Sequence, residues 1–87
     1  MVGQFATSKA GHDKDTLYVI VAEEGDFVEL SDGRLKPVEN PKRKKRKHIQ
    51  PINETVDEEL LQALKQKNIA NEQIKYALKQ YKKKFIL

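Results

Sequence analysis

The sequence predicts a mainly β fold with α-helix, in which a small barrel is followed by a C-terminal helical hairpin. The front of the chain has short β-branched and aromatic runs, separated by Gly-containing turns, with almost no helical periodicity between them. The last third has apolar residues at helical spacing. A chain of 87 residues suits a single core. We therefore assign residues 1–52 to the barrel and residues 53–87 to the hairpin.

The first two predicted strands are residues 3–7 and 16–22, joined by the polar turn 8–15. Gly11 suits this turn because it can adopt a positive φ at little cost. The second strand is the most β-branched and is expected to be central. Its alternation defines two faces, one with Leu17, Val19 and Val21 and the other with Tyr18 and Ile20.

Three further strands are predicted in the front part. Residues 27–30 form the third strand, and Asp32-Gly33 predicts a hairpin turn into a fourth strand at 34–38. Residues 48–50 are expected to close the sheet. Strands this short and this closely spaced favour a small barrel over an open parallel sheet.

Two helices are predicted after the strands. Thr55 as N-cap and Glu58 at the third helical position form a capping box, and this helix is expected to run to about Lys67. Asn71 is expected to cap the second helix. Because helices of this length are marginal alone in water, their apolar stripes are expected to pack on each other or on the barrel. Residues 85–87 are expected to dock on the barrel or to be left for a partner.

Positive charge is concentrated in residues 42–47, the basic run, which holds six of the 17 Lys and Arg residues and no acidic residue. Residues 1–41 carry four basic and eight acidic residues. Six adjacent like charges repel each other and favour an extended loop, which phosphate would make compact. We therefore predict a nucleic-acid contact here, in preference to a solvated loop or a nuclear-import signal. Six phosphate contacts would make log affinity fall with log salt at a slope of roughly −4 to −5.

Several functional classes find little support in the sequence. The chain has no Cys, which removes disulfides and thiol chemistry, and neither His12 nor His48 has a second ligand at zinc-like spacing. No nucleophile elbow or phosphate-binding glycine loop is present. We therefore expect no catalysis, no cofactor, no metal and no small-molecule substrate. Because no apolar run has the length of a signal peptide or a membrane span, the expected location is cytoplasmic, without a membrane partner.

Residues 2–5, 8–14 and the apolar strand through Val21 resemble the KOW motif, a strand-loop-strand unit with a glycine in its loop. The resemblance continues through residues 32–34 and 39–42 into residues 47–50. The pattern is similar to small bacterial KOW-domain proteins related to large-subunit ribosomal proteins of archaea and eukaryotes. Asp15 departs from it, since it stands where such motifs commonly have a second glycine. The resemblance implies an SH3-like barrel that binds RNA, most often ribosomal RNA, through the loop around Gly11 and neighbouring basic segments.

The charge and the resemblance together predict a non-catalytic, ribosome-associated RNA-binding protein whose partner is ribosomal RNA. The hairpin would brace the barrel or meet a neighbouring ribosomal protein. The predicted RNA-binding residues lie in the Gly11 turn, around the Asp32-Gly33 turn and in the basic run: Lys9, Gly11, His12, Lys14, Arg34, Lys36, Lys42, Arg43, Lys44, Lys45, Arg46, Lys47 and His48. Arg34 and Lys36 are expected to extend the basic surface that the run begins.

Three alternatives stay open from the sequence. SH3-like barrels also bind peptides, so the chain could be a protein-binding adaptor that uses the barrel and the hairpin. A duplex-DNA binder has charge in its favour, but no recognition helix with base-reading side chains on one face. On the second predicted helix, a stripe of lysines is typical of a solvated face, with an RNA contact as the less favoured reading. The stripe consists of Lys75, Lys79, Lys82 and Lys83.

Overall fold

The computed structural model describes residues 1–85, which form a five-stranded antiparallel sheet and two α-helices. The elements are β1 (Gln4–Ser8), β2 (Leu17–Glu24), β3 (Phe27–Ser31), β4 (Lys42–Lys45), the 3₁₀ turn Arg46–His48, β5 (Ile49–Thr55), α1 (Glu58–Lys65) and α2 (Asn71–Phe85). The predicted class, mainly β with α, is confirmed at this level. Ile86 and Leu87, which belong to the segment expected to dock or to meet a partner, lie outside the described residues. No helix within residues 1–85 is long and apolar enough to cross a membrane.

The sheet has the strand order β4-β3-β2-β1-β5, so β4 and β5 are its two edges. Only the 3₁₀ turn Arg46–His48 connects them. Four residue steps span at most about 14 Å, whereas the edges of a flat five-stranded sheet lie about 19 Å apart. The sheet is therefore strongly curled, and register shifts in the β1-β5 and β2-β3 pairings add to the bend. Within the described chain β4 does not pair with β5, so the sheet is not closed by hydrogen bonds.

Each face of the sheet has its own apolar core. The helix-covered face contains Phe5, Val19, Val56, Leu60, Leu64, Ile74, Ala77 and Leu78. The other face contains Ala6, Tyr18, Ile20, Val28, Leu30 and Ile49. The residues of this second cluster are at most 2% exposed although, within residues 1–85, no helix contributes to it. The curl of the sheet itself therefore excludes water from this face. The two faces predicted for β2 are confirmed, because Val19 belongs to the first cluster and Tyr18 and Ile20 to the second.

The predicted strand at 34–38 is wrong. One oxygen of the Asp32 carboxylate, Oδ1, accepts hydrogen bonds from the backbone N–H of Arg34 (2.8 Å) and of Lys36 (2.9 Å), which folds this segment into a turn. The partner of β3 is instead the basic run. Lys44 lies opposite Val28 and Lys42 opposite Leu30.

The loop predicted for the basic run is therefore also wrong, since residues 42–45 form a strand and residues 46–48 a 3₁₀ turn. Like-charge repulsion is tolerated there because β4 is an edge strand, whose outer side faces solvent. Charged side chains, lysine especially, are common on edge strands, where they oppose pairing with another chain.

Both predicted helix caps are wrong, although both helices exist. The Asp57 carboxylate caps α1 by accepting from the backbone N–H of Leu60 (2.9 Å), while Thr55 belongs to β5 and pairs with Gln4. The side-chain oxygen of Asn71 accepts from the backbone N–H of Val38 (2.8 Å) instead of capping α2. In each case a tertiary or neighbouring partner displaces the locally predicted one.

Both helices pack on the sheet, because Leu60, Leu64, Ile74 and Leu78 share one cluster with Phe5 and Val19. The predicted boundary at 52/53 falls inside β5. The turn after β3 lies directly against the start of α2. A Cβ atom on Gly33 would stand 2.6 Å from the carbonyl oxygen of Asn71, and Gly33 has a φ of 74°. This close approach requires glycine.

Candidate nucleic-acid interface

Residues 9–15, the Gly11 loop, project from the sheet between β1 and β2. Gly11 has a φ of 89° and Asp15 a φ of 69°. Asp15 thus takes the left-handed conformation that glycine favours and that aspartate tolerates better than most residues. The side chains of Lys9, His12 and Lys14 are exposed. The loop therefore offers two lysines and one histidine to solvent.

The Asp13 carboxylate holds the base of this loop. It accepts hydrogen bonds from the hydroxyl of Ser8 (3.1 Å) and the hydroxyl of Tyr18 (2.9 Å). It also pairs with the ammonium of Lys44 at 3.0 Å. Burial alone would raise the pKa of Asp13, but the hydrogen bonds from Lys44, Tyr18 and Ser8 outweigh it and lower that pKa below its usual value. Burial, and then the bond to Asp13, raises the pKa of the Tyr18 phenol.

Lys44 joins the Gly11 loop to the basic run. Besides pairing with Asp13, its ammonium donates to the backbone carbonyl of Ala10 (3.0 Å). The backbone N–H of Lys9 donates to the carbonyl of His48 (2.9 Å), which ties the loop to the 3₁₀ turn as well. The two segments predicted to bind RNA are thus in direct contact, although more than 30 residues separate Ala10 from Lys44.

Three of the six cations of the basic run have partners inside the protein. Lys44 has a side chain only 11% exposed. The guanidinium of Arg46 donates to the carbonyl of Gly25 (2.7 Å) and to the Glu23 carboxylate (2.9 Å), and this bond lowers the pKa of Glu23. Arg43 lies over the Phe27 ring, 4.3 Å from its centroid, and its guanidinium is 3.8 Å from the Glu24 carboxylate. These cations are partly committed to holding the strands together.

The other three cations of the run, Lys42, Lys45 and Lys47, form no ion pair within residues 1–85. Lys42 is half-buried, whereas Lys45 and Lys47 are exposed. The exposed basic side chains of the loop, β4 and the 3₁₀ turn that lack an ion pair form what we call the loop-run surface: Lys9, His12, Lys14, Lys45, Lys47 and His48.

A small groove of about 460 Å³ on this side of the molecule is lined by Phe27, Lys45, Arg46, Lys47 and Asp26. Phe27 is half-buried, belongs to neither core cluster and lies opposite Lys45 across the β3-β4 pairing. Arg43 covers one face of this ring, so a nucleobase bound beside these cations would stack on the Arg43 guanidinium. Sequence reasoning missed Phe27, because only the pairing of β4 with β3 brings it to the basic run.

Arg34 and Lys36 lie in the turn held by the Asp32 carboxylate. Lys36 is half-buried in the turn held by Asp32, whereas Arg34 is exposed and lines a separate groove of about 980 Å³, the α2 groove. Its other lining residues are Asp15, Thr16, Leu17, Asp32, Lys75, Leu78, Lys79, Lys82 and Lys83. No residue of the basic run lines this groove. The structure thus groups Arg34 with the lysine stripe of α2.

The part of the chain described by the structure contains no group of three or more His, Asp or Glu side chains that could hold a metal ion. No model of a known protein family matches the chain, and no curated protein matches it at a significant level. Function is therefore inferred from the geometry and charge of these residues.

Proposed function

We propose that this protein is a non-catalytic RNA-binding protein that associates with ribosomal RNA through the loop-run surface. The observation that carries the proposal is the contact of Lys44 with both Asp13 and Ala10, at 3.0 Å in each case. This contact holds the Gly11 loop against the basic run, so that one ligand can touch both. The preference for ribosomal RNA rests on the KOW-like residues around Gly11.

An SH3-like barrel is the architecture we propose for residues 1–55. Its support is the strong curl of the sheet, the three-residue 3₁₀ link between the two edge strands, and the buried face formed by Tyr18, Ile20 and Leu30, to which no helix within residues 1–85 contributes. In this architecture α1 and α2 brace the outer face through Leu60, Leu64, Ile74 and Leu78.

The free charge is smaller than the sequence predicts. The loop-run surface has four exposed lysines without an ion-pair partner in the described chain, Lys9, Lys14, Lys45 and Lys47, and only the last two belong to the basic run. Four phosphate contacts give a salt slope of roughly −3 to −4, shallower than six contacts would give. Unpaired RNA suits this surface better than a duplex, because loops and splayed bases reach lysines and aromatic rings that lie on different elements.

A charge-matched pair of variants tests this proposal. The variant Lys14→Gln, Lys45→Gln, Lys47→Gln neutralises three exposed lysines of the loop-run surface. The control Lys65→Gln, Lys67→Gln, Lys84→Gln neutralises three exposed lysines that lie outside both this surface and the α2 groove. We expect the first variant to bind a fluorescein-labelled ribosomal RNA fragment at least about tenfold more weakly, with a salt slope shallower by about 2 to 3. The control should stay within about threefold of wild type. Equal losses in the two variants would contradict the proposal.

Association with ribosomes is tested in a lysate of the source cell. We expect the protein to sediment with large ribosomal subunits or their precursors at low salt, and to leave them as salt rises or after ribonuclease treatment. A protein that stays at the top of a sucrose gradient under every condition would overturn the association with ribosomes. RNA binding itself would still be tested by the affinities of the purified variants.

One observation favours the alternative, a protein-binding adaptor. A groove of about 830 Å³ beside the end of α1 has apolar lining from Val21, Val38, Leu64 and Ile69. Its lining holds four glutamates, Glu23, Glu24, Glu29 and Glu39, against two lysines, Lys65 and Lys67, so acidic residues predominate. These features suit a basic, partly apolar peptide. A partner retained after nuclease treatment, and lost when the half-buried Ile69 is replaced by Asp in a chain that stays folded, would favour the adaptor.

A further inference from the structure

The α2 groove combines side chains that are distant in sequence. Arg34 comes from the turn after β3, and four lysines come from α2: Lys75, Lys79, Lys82 and Lys83. Leu17 and Leu78 contribute apolar surface, and within residues 1–85 the carboxylates that line the groove are those of Asp15 and Asp32. Five cations against two carboxylates give the groove a clear positive potential.

Most of this charge is uncompensated. Within residues 1–85, Lys75 pairs with Glu72 at 3.3 Å, whereas Arg34, Lys79, Lys82 and Lys83 form no ion pair. The Asp32 carboxylate is occupied by two backbone N–H groups of its own turn. A solvated helix face usually carries both signs of charge, but α2 has a single acidic residue, Glu72, in its first turn.

The lysines of the groove form a row. Lys75, Lys79 and Lys83 are spaced four residues apart, so they lie on one side of α2 with a rise of about 6 Å between successive residues. A row of this kind extends along the helix. It suits a linear polyanion with several phosphates better than a single small anion, which could meet only one or two of the ammonium groups.

The groove adjoins the loop-run surface along the chain. Its wall includes Asp15 and Thr16, which directly follow Lys14 at the end of the Gly11 loop. Lys14 belongs to one surface and Asp15 to the other, so no stretch of chain separates them. A strand bound on the Gly11 loop would therefore reach the groove at Asp15.

We propose that the α2 groove binds the continuation of a single-stranded RNA segment whose other part lies on the loop-run surface. This inference rests on the proposed function, because it assigns the same RNA a second contact. Arg34, Lys79, Lys82 and Lys83 contact consecutive phosphates, and the Asp15 carboxylate separates the two parts of the site. The bound RNA is therefore longer than either surface alone can hold.

RNA length separates the two surfaces experimentally. The probes are labelled oligouridylates of 6 and 18 nucleotides, bound to the full chain at several salt concentrations. The α2 variant Lys79→Gln, Lys82→Gln, Lys83→Gln changes exposed residues only. We expect it to bind the 18-mer at least about tenfold more weakly, with a salt slope shallower by about 2, and to bind the 6-mer within about twofold of wild type. The loop-run variant described above should weaken binding of both probes.

Occluded site size gives a second readout. Titration of long poly(U) should show that each wild-type molecule covers more nucleotides than each molecule of the α2 variant. Circular dichroism should show the same helix content in both proteins. The inference is overturned if the α2 variant keeps the wild-type affinity, salt slope and site size. In that case the proposed function still stands, provided that the loop-run variant binds RNA more weakly than wild type. If only the α2 variant loses affinity, and does so for both probes, the loop-run surface is not the RNA-binding site. The α2 groove would then be the primary site and not the continuation of another one.

Discussion

The basic run and helix α2 carry similar amounts of positive charge, six Lys and Arg in residues 42–47 and five Lys in Asn71–Phe85. They use this charge differently. In the basic run Lys44 and Arg46 hold other segments, and Arg43 covers an aromatic ring. On α2, Lys79, Lys82 and Lys83 form no ion pair within residues 1–85. The density of charge in a sequence therefore does not measure the charge that a ligand can reach.

The secondary structure explains this difference. Along β4 alternate side chains point to opposite faces of a curled sheet, so Lys44 is directed over the core and only its neighbours reach solvent. Along α2 a single face is buried, and it consists of Ile74, Ala77 and Leu78. The lysines lie on the rest of the helix surface, where nothing in the core competes for them.

The largest expected effect concerns the support of the α2 groove, which depends on the docking of α2 against Gly33. A Cβ at this position would meet the carbonyl oxygen of Asn71 at 2.6 Å. Gly33→Ala should lower the free energy of unfolding by about 2 to 4 kcal/mol, from left-handed backbone strain plus overpacking.

Gly25→Ala is the matched control, because Gly25 also has a positive φ but, within residues 1–85, no atom outside its two neighbouring residues lies within 4 Å of the added Cβ. Gly25→Ala should lower the free energy of unfolding by about 1 kcal/mol. Thermal unfolding followed by circular dichroism measures both variants. Equal shifts in Tm would mean that the turn does not press against α2.

The next effect compares neighbouring lysines of the basic run. Lys44→Met should lower the free energy of unfolding by about 2 kcal/mol, because it leaves the Asp13 carboxylate, whose side chain is only 18% exposed, without its charged partner. Lys45→Met should change stability by no more than about 0.5 kcal/mol. Denaturant unfolding gives both values. Lys45→Met should lower RNA affinity without changing stability. A destabilised Lys45→Met variant would contradict the proposal that Lys44 supports the fold and Lys45 contacts RNA.

A smaller effect depends on pH. The lowered pKa of Asp13 means that its ionised form stabilises the fold above its unfolded pKa, near 3.8, and that this contribution is lost as pH falls through the lower folded value. The free energy of unfolding of Asp13→Asn should therefore be about 1 to 2 kcal/mol below that of wild type at pH 6. The gap should narrow below about pH 4. A gap that stays constant between pH 6 and pH 2 would show that the Asp13 charge does not support the loop.

The smallest effect concerns the junction between the two surfaces. Asp15 already has a φ of 69°, so Asp15→Gly keeps the backbone conformation and removes a carboxylate. Stability should change by less than about 1 kcal/mol, since relief of strain opposes the added chain entropy of glycine. Affinity for the 18-nucleotide probe should rise about two- to threefold as one repulsive charge is lost. Weaker binding would instead indicate that Asp15 contacts the RNA.

Strands β1 to β3 were predictable within one or two residues, because alternation and turn glycines are local signals. The helices were predictable for the same reason, through the spacing of Leu60, Leu64, Ile74 and Leu78. Strand β4 was not, since Lys44 pairs with Val28 and Lys42 with Leu30, each at least 12 residues away in the sequence. The predicted helix caps were wrong because Asp57 caps α1 in place of Thr55, and because the Asn71 side chain bonds to Val38 instead of capping α2.

The sequence by itself determined the number and type of most elements, the two faces of β2, and the places where positive charge accumulates. Each of these follows from residues that are close together in the chain. Only the tertiary structure decided which charges are free. Partners of Lys44 and Arg46 lie on distant segments, and an ammonium within 3 Å of a carboxylate loses much of its attraction for phosphate. The grouping of Arg34 with the α2 lysines likewise depends on the packing of a turn against a helix, which no local pattern encodes.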